Sequence, residues 1–226
     1  MATCSPPVVV SHSDNIESAD NKEDRVARRS DHTKEELIDL VIDGTMLLIE
    51  EKQTVKITAR DIAKQIGYTP GTLYTHFANL DDIFLHVNAR SLLQLRERLE
   101  SNIDNSDSPQ QVLVNMGLAY LDFAREHKYR FQAMFTPRLP ESVDPPEYLQ
   151  NEIDQLFGLL SEQLKRLEEV DESQLELGTR ALWSGVHGVA SLAIADQLFT
   201  PRPRLERNMV ETLVRQFVDG WPPQGL

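Results

Sequence analysis

The sequence predicts an all-α protein, with a short helix-turn-helix near its N-terminus and a larger helical body after it. Three observations carry this. Apolar residues recur at helical spacing in tract after tract. No segment shows the apolar-polar alternation of a half-buried strand, and no internal repeat is visible. The 12 prolines are confined to positions 6–7, 70, 109, 137–146, 201–203 and 222–223. Proline breaks a helix interior and is tolerated in a first turn, so the tracts between these positions are free to be helical. About nine helices are expected.

Residues 1–30 are rich in Ser, Asp, Asn and Glu and poor in large apolar residues, so they cannot bury enough to offset their ordering entropy and are read as a disordered tail. Its end carries the cluster Arg25, Arg28 and Arg29. Thr33 with Glu36 fits a capping box, and Leu37, Leu40, Val41, Gly44 and Leu48 follow at helical spacing. Thr58 with Asp61 repeats the signature, with Ile62, Ala63 and Ile66 as the apolar face. Gly67 stands where a left-handed cap ends a helix. Thr69-Pro70 then restarts one over 70–77, with Leu73, Tyr74 and Phe77 on its apolar side. Asn79 and Asp82 open a long helix through Ile83, Phe84, Val87, Leu92, Leu95 and Leu99. Ser108-Pro109 starts the next, with Val112, Met116, Ala119, Tyr120 and Phe123 on one side. A short apolar piece, Tyr129 to Phe135, leads into the proline-rich loop. Helices over about 147–169, 173–198 and 204–219 complete the chain.

Charge and cysteine usage narrow the function classes. There are 23 Lys+Arg against 36 Asp+Glu, a net of −13 with a pI near 4.9, which argues against a broadly cationic nucleic-acid binder but not against a small local reading face. Cys4 is the single cysteine, so no disulfide forms within the chain and a Cys-ligated zinc site is excluded. No run approaches 18 apolar residues and the N-terminus lacks an apolar signal core. The expected compartment is therefore the cytoplasm, with no membrane partner.

The pair 58–66 and 70–77, joined by a turn containing Gly67, is a compact helix-turn-helix candidate. Its second helix has small or polar residues in front: Thr69, Gly71, Thr72 and Thr75. A recognition helix needs a slim front end to enter the major groove, and its N–H groups then meet phosphate. Tyr74 and His76 add donors of the kind that anchor phosphate oxygens. The alternative is a generic helical hairpin whose threonines serve only as caps. The stretch Ile57 to Phe77 carries Asp-Ile-Ala, Gly-Tyr-Thr, Gly-Thr-Leu-Tyr and His-Phe at spacings that resemble the DNA-binding domain of the TetR (tetracycline-repressor-like) family. The resemblance covers roughly 33–87. It implies DNA contacts from Thr58, Thr69, Pro70, Gly71, Thr72, Tyr74 and His76. One position departs from the family pattern: a lysine usually follows His-Phe and opens the next helix, and Leu80 stands there with Asp81 and Asp82 behind it. Residues 31–90 hold six Lys/Arg against ten Asp/Glu. Arg25, Arg28 and Arg29 either compensate as an arm along the DNA or remain solvated tail.

In the tract 173–198, Ala181, Gly185 and Gly188 recur at i, i+4 and i+7, with Ala195 beyond. Glycine inside a helix costs up to ~1 kcal/mol relative to alanine, and close approach of another helix is a reason to carry it. Met209, Leu213 and Phe217 offer an apolar face on the last helix. The family resemblance implies that these two helices pair with their mates in a homodimer; the alternative is packing inside one subunit. Trp183, His187 and Gly188 resemble the Trp-His-Gly signature of one TetR C-terminal class, and Phe131 to Phe135 after His127 is similar to that class. Trp183 and His187, with Phe123, Phe131, Met134 and Phe135, either line a pocket for a small apolar or amphipathic ligand or belong to the core.

No phosphate-binding Gly-rich loop, His-Glu-x-x-His or Ser elbow is present. Asp82 and His86 are read as a surface pair rather than metal ligands, and Glu168, Glu169, Asp171 and Glu172 as a solvated turn. No enzyme, cofactor or metal is expected. The expected organisation is a tail (1–30), a helix-turn-helix domain (31–78) and a helical ligand-binding and dimerisation domain (79–226). The expected function is a homodimeric, ligand-responsive transcription regulator, a repressor on a pseudo-palindromic double-stranded operator. The rival is a protein-binding adaptor of the same fold with little DNA affinity.

Overall fold

The computed structural model describes residues 32–136, 139–140, 142–195, 197 and 203–222. The expected tail with Arg25, Arg28 and Arg29 lies outside the described residues. Among the described residues there are nine helices and no strand: α1 (Lys34–Lys52), α2 (Ala59–Ile66), α3 (Pro70–Leu73), α4 (Leu80–Glu100), α5 (Pro109–Glu126), α6 (Lys128–Met134), α7 (Glu147–Leu167), α8 (Glu172–Ile194) and α9 (Pro203–Asp219).

The caps form as the sequence requires. The Thr33 and Glu36 side chains exchange hydrogen bonds with each other's backbone N–H, 2.7 and 3.2 Å. Thr58 and Asp61 do the same, 3.0 and 3.2 Å. Gly67 takes φ +77°, where a side chain would be strained. Asn79, Ser108 and Asp171 cap α4, α5 and α8.

Helix α3 differs from expectation by ending at Leu73 rather than 77. The Thr75 N–H and Oγ1 both donate to the Thr72 carbonyl, at 3.3 and 2.6 Å. That takes the acceptor the His76 N–H needs to continue the helix, and His76 bonds the Leu73 carbonyl instead. The segment becomes a tighter turn that Phe77, buried, pins down.

Contacts separate Met1–Leu37 from Ile38–Leu226, and both hydrophobic clusters lie within the second unit. The first cluster joins Val41, Ile42 and Ile49 of α1, Ile62 and Ala63 of α2, Leu73, Phe77, and Ile83, Phe84 and Val87 of α4. The second joins Leu92, Leu95 and Leu99 of α4 to α5, α7, α8 and α9. Helix α4 thus runs unbroken through both. Helix α6 also serves both, with Ala133 in the first and Phe131 in the second. Polar ties reinforce the crossing. Arg130 of α6, only 5% exposed, donates from Nε to Glu50 of α1 and from Nη1 to Gln94 of α4, both at 2.8 Å. Arg90 of α4 reaches Asp39 and Asp43 of α1 at 2.5 and 3.2 Å.

The glycines of α8 separate by role. A Cβ on Gly185 would lie 2.9 Å from Leu213 Cδ1 of the same chain. The close approach that explains this glycine is made within the subunit, where α8 meets α9. A Cβ on Gly188 would meet nothing within 4 Å. Gly178 lies under Trp221, where a Cβ would collide with the indole, and Phe217 stacks on that ring at 5.8 Å. Replacing Gly178 with Val should eject Trp221, cost about 1–3 kcal/mol by overpacking, and shift tryptophan emission to the red. Urea unfolding with an unchanged midpoint and emission spectrum would refute the contact.

Candidate functional site

Two regions collect the residues singled out by sequence. The first is the helix-turn-helix, α2–Gly67–α3. Ile62, Ala63 and Leu73 are buried against α1 and α4, which fixes how the pair is held. Thr69 caps α3, accepting from the Thr72 N–H, and its Oγ1 lies 2.9 Å from Thr72 Oγ1. These threonines cap, as the plainer alternative supposed, yet Thr69 and Gly71 remain exposed while Pro70 and Thr72 are half-buried. Tyr74 is 48% exposed on the turn after α3, a large aromatic left uncovered by its own subunit. His76 is half-buried, with a buried Nδ1 that has no hydrogen-bond partner, so an outside contact must use Nε2. The Thr58 hydroxyl is engaged with Asp61, 2.5 Å, and Lys52 bridges to the same carboxylate at 2.5 Å. Lys52 and Thr58 together hold the Asp61 carboxyl well below the usual range. Leu80, at the position where a lysine was noted as absent, packs on the first cluster.

The second region is an aromatic cluster around His187. Its ring stacks on Trp183 at 5.0 Å and on Phe131 at 5.6 Å, and Phe135 lies at 4.2 Å. Tyr120 Oη is 2.8 Å from His187 Nδ1, and Ser191 Oγ is 3.1 Å from Nε2. Both ring nitrogens are thus engaged in the way a neutral imidazole permits, one donating and one accepting. Burial lowers the His187 pKa and pushes the Tyr120 hydroxyl upward, which keeps both uncharged. Next to this cluster a cavity of about 30 Å³ lies between α4, α5, α7, α8 and α9, touched by Tyr120, Trp183, Leu156 and Val186. It is apolar and holds a water or two at most. Phe123 is not part of the cluster. It is buried and faces His127 at 4.8 Å. Met134 lines a different hollow, beside Leu85 and Leu149.

The expected dimer residues divide similarly. Ala181 and Ala195 are exposed and Gly188 half-exposed, in one stripe with the exposed Leu177, Ser184 and Leu192. Met209 is half-buried, while Leu213 and Phe217 are occupied within the chain by Gly185 and Trp221.

Residues 41–87 match the model of bacterial regulatory proteins of the tetR family, and residues 113–217 match the tetracyclin repressor-like C-terminal domain. The chain belongs to the TetR family. It is 26% identical over 158 residues to the HTH-type transcriptional regulator Rv0681 of Mycobacterium tuberculosis, covering 67% of each chain. Two solved structures share the fold. A Rhodococcus sp. RHA1 protein aligns with TM-score 0.68 at 15% identity, over 85% of this chain and 98% of that one. The Thermus thermophilus FadR, a TetR-family repressor in complex with lauroyl-CoA, aligns with TM-score 0.61 at 19% identity, over 84% and 97%. This TetR-family chain is accordingly a DNA-binding transcription regulator.

Sequence reasoning missed three contributors. Tyr120 was read as a core residue, yet it is the hydrogen-bond partner of His187; sequence separation hides such a pair. Phe157 packs edge-on to Trp183 at 5.4 Å from another helix. Arg60 and Lys64 are exposed one turn apart on α2, and Lys56, ahead of its cap, is exposed as well. These cations were visible in the sequence, in the same stretch as the helix-turn-helix.

The lowered His187 pKa has a stability consequence. The folded chain binds the proton more weakly than the unfolded one, so this contribution is complete above the ordinary imidazole value of ~6.5 and lost as pH falls through and below it. Between about pH 7 and pH 5 the Tm of the wild type should drop more steeply than that of His187→Asn. Parallel curves would overturn the assignment.

Proposed function

We propose that this chain is a homodimeric repressor that reads a pseudo-palindromic operator and is released by a small apolar or amphipathic molecule. The observation that carries it is the capped helix-turn-helix with Tyr74 standing uncovered beyond a slim, threonine-fronted turn. In this reading 31–78 is the DNA-binding domain and 79–226 the ligand-binding and dimerisation domain, in a cytoplasmic protein. Thr69, Pro70, Gly71, Thr72 and Tyr74 enter the major groove, with Thr58 and His76 beside them. Lys56, Arg60 and Lys64 meet phosphates, and Arg25, Arg28 and Arg29 form an arm. Sequence discrimination then rests on few contacts, and nonspecific affinity is low because the net charge is −13.

Inducer binds among Tyr120, Phe131, Phe135, Trp183 and His187, the cluster likened above to the Trp-His-Gly class, and not at Phe123 or Met134, which face other surroundings. A cavity of about 30 Å³ is far below the few hundred Å³ of an ordinary ligand site, so helices must part on binding. Parting them moves α6, whose Phe131 touches His187 and whose Arg130 holds Glu50. That biases α1 and the helix-turn-helix between two arrangements. The lauroyl-CoA carried by the T. thermophilus FadR is an amphipathic molecule of the kind this reading needs.

Selection from random duplex DNA should enrich a palindromic site, and Tyr74→Ala should weaken binding to it at least tenfold, about 1.4 kcal/mol. No enrichment at moderate salt, or an adaptor that shifts no DNA, overturns the reading. For the dimer, the exposed stripe Leu177, Ala181, Ser184, Gly188, Leu192 and Ala195 forms the seam with Leu205 and Met209. Gly188→Leu adds a side chain where the subunit has open space, so it should leave folding intact and yield monomers in sedimentation. A persistent dimer refutes the seam.

A further inference from the structure

The small cavity beside the aromatic cluster has one wall unlike the others. Its lining includes Leu99 of α4, Met116 of α5, Leu156 of α7, Leu182 of α8 and Val214 of α9. No charged side chain lines it, and its one hydroxyl, on Tyr120, is already held by His187 at 2.8 Å. Every lining residue is buried except Leu160 of α7 and Trp183 of α8, which are half-buried, so the mouth lies between α7 and α8. Helices α5, α8 and α9 are in close contact. A Cβ on Gly117 would lie 2.9 Å from Val210 Cγ1, and one on Gly185 2.9 Å from Leu213 Cδ1. The glycine of α7 is different. Gly158 is exposed in mid-helix, between the lining residues Leu156 and Leu160, and a Cβ there would meet nothing within 4 Å. Glycine in a helix interior leaves the backbone freer than alanine does, and no close approach within the subunit accounts for it here.

We propose that this site takes the alkyl chain of an amphipathic molecule, admitted as α7 yields at Gly158, with the polar head left in water at the mouth between Leu160 and Trp183. The proposal rests on the inducer reading above and names the ligand class and the wall that moves. A head drawn inside would lose its hydration and find only a hydroxyl already bonded. Methylene groups gain from burial there, and the flexible Leu and Met side chains of the lining can repack around a chain. Outside the mouth, Arg180 lies over the Phe157 ring at 5.2 Å. It is exposed and paired with Glu176 at 2.9 Å, so it adds little selection for a charged head. Movement of α7 has a route onward. Phe157 of α7 packs edge-on to Trp183, Trp183 stacks on His187, and His187 stacks on Phe131 of α6.

The test uses the full chain without DNA, titrated with 1-butanol, 1-hexanol, 1-octanol, hexanoate and hexyltrimethylammonium near neutral pH, and reads calorimetry together with the Trp183 and Trp221 indole N–H signals by NMR. Each added methylene should tighten binding about fourfold, the fold-change that about 0.8 kcal/mol of burial corresponds to. The three hexyl compounds should bind within about threefold of one another, because the head stays in water. The Trp183 signal should shift saturably. Leu160→Trp, which closes the mouth, should abolish binding of all five. Gly158→Ala should raise the Tm and weaken binding several-fold, opposite effects that a merely structural glycine would not produce. A tenfold preference for one head, a shift at Trp221 alone, or unchanged affinity in Gly158→Ala overturns the proposal, as does failure of every chain to bind. Chain-length-dependent binding that leaves a selected operator bound supports this site and overturns the inducer reading alone.

Discussion

Helix α4 is buried along its length in two different hydrophobic clusters. Ile83, Phe84 and Val87 at its front close the core under the helix-turn-helix, while Leu95 and Leu99 at its rear sit in the core shared with α5, α7, α8 and α9. Phe84 and Leu95 are fully buried. Truncating a side chain of that size in such a place costs about 3–5 kcal/mol, a large part of a domain's net stability. One rigid rod therefore joins the core under the helix-turn-helix to the core of α5, α7, α8 and α9, with no hinge of glycine or proline inside it. Helix α6 adds a second strut, since Arg130 and Phe131 are neighbours in sequence that face different clusters.

The charge distribution follows the same division. Residues 91–226 carry 13 Lys/Arg against 21 Asp/Glu, so the larger share of the excess negative charge lies in the C-terminal part of the chain. Around the helix-turn-helix the acids are largely occupied. Asp61 caps α2 and pairs with Lys52, and Asp82 caps the start of α4 by accepting from the Ala78 N–H at 2.8 Å. Both carboxylates serve local structure, and Lys56, Arg60 and Lys64 stay exposed. An acidic chain can thus keep a small surface compatible with phosphate.

The polar interior is more selective than its residue list suggests. Tyr120, His187 and Ser191 form a satisfied chain of hydrogen bonds enclosed by aromatic rings, so a ligand entering there must replace those bonds as well as open space. Asn88 presents the opposite case, a buried side chain on α4 whose Oδ1 has no hydrogen-bond partner among the described residues.

The local features were legible because they depend on neighbours in sequence. Capping at Thr33, Thr58, Thr69, Asn79 and Ser108, the left-handed Gly67 and the course of each long helix are short-range events. The family-like spacing from Ile57 to Phe77 was legible for the same reason. The early end of α3 was not, because it turns on which donor wins the Thr72 carbonyl. Nor was the partner of each helix face. Periodicity shows that Gly185 and Gly188 lie on related sides of α8, but only packing decided that one meets Leu213 of its own chain while the other faces open space. Phe123 and Phe131 carry equal sequence signals, and the single residue His127 between α5 and α6 sends them to different surroundings. The sequence by itself determined the helices, their caps and the reading turn, since backbone hydrogen bonds and side-chain spacing act over a few residues. Tertiary structure alone decided which aromatic rings gather at His187, which acceptors go unmet and which glycine stays uncovered, because those depend on contacts between residues far apart in the chain.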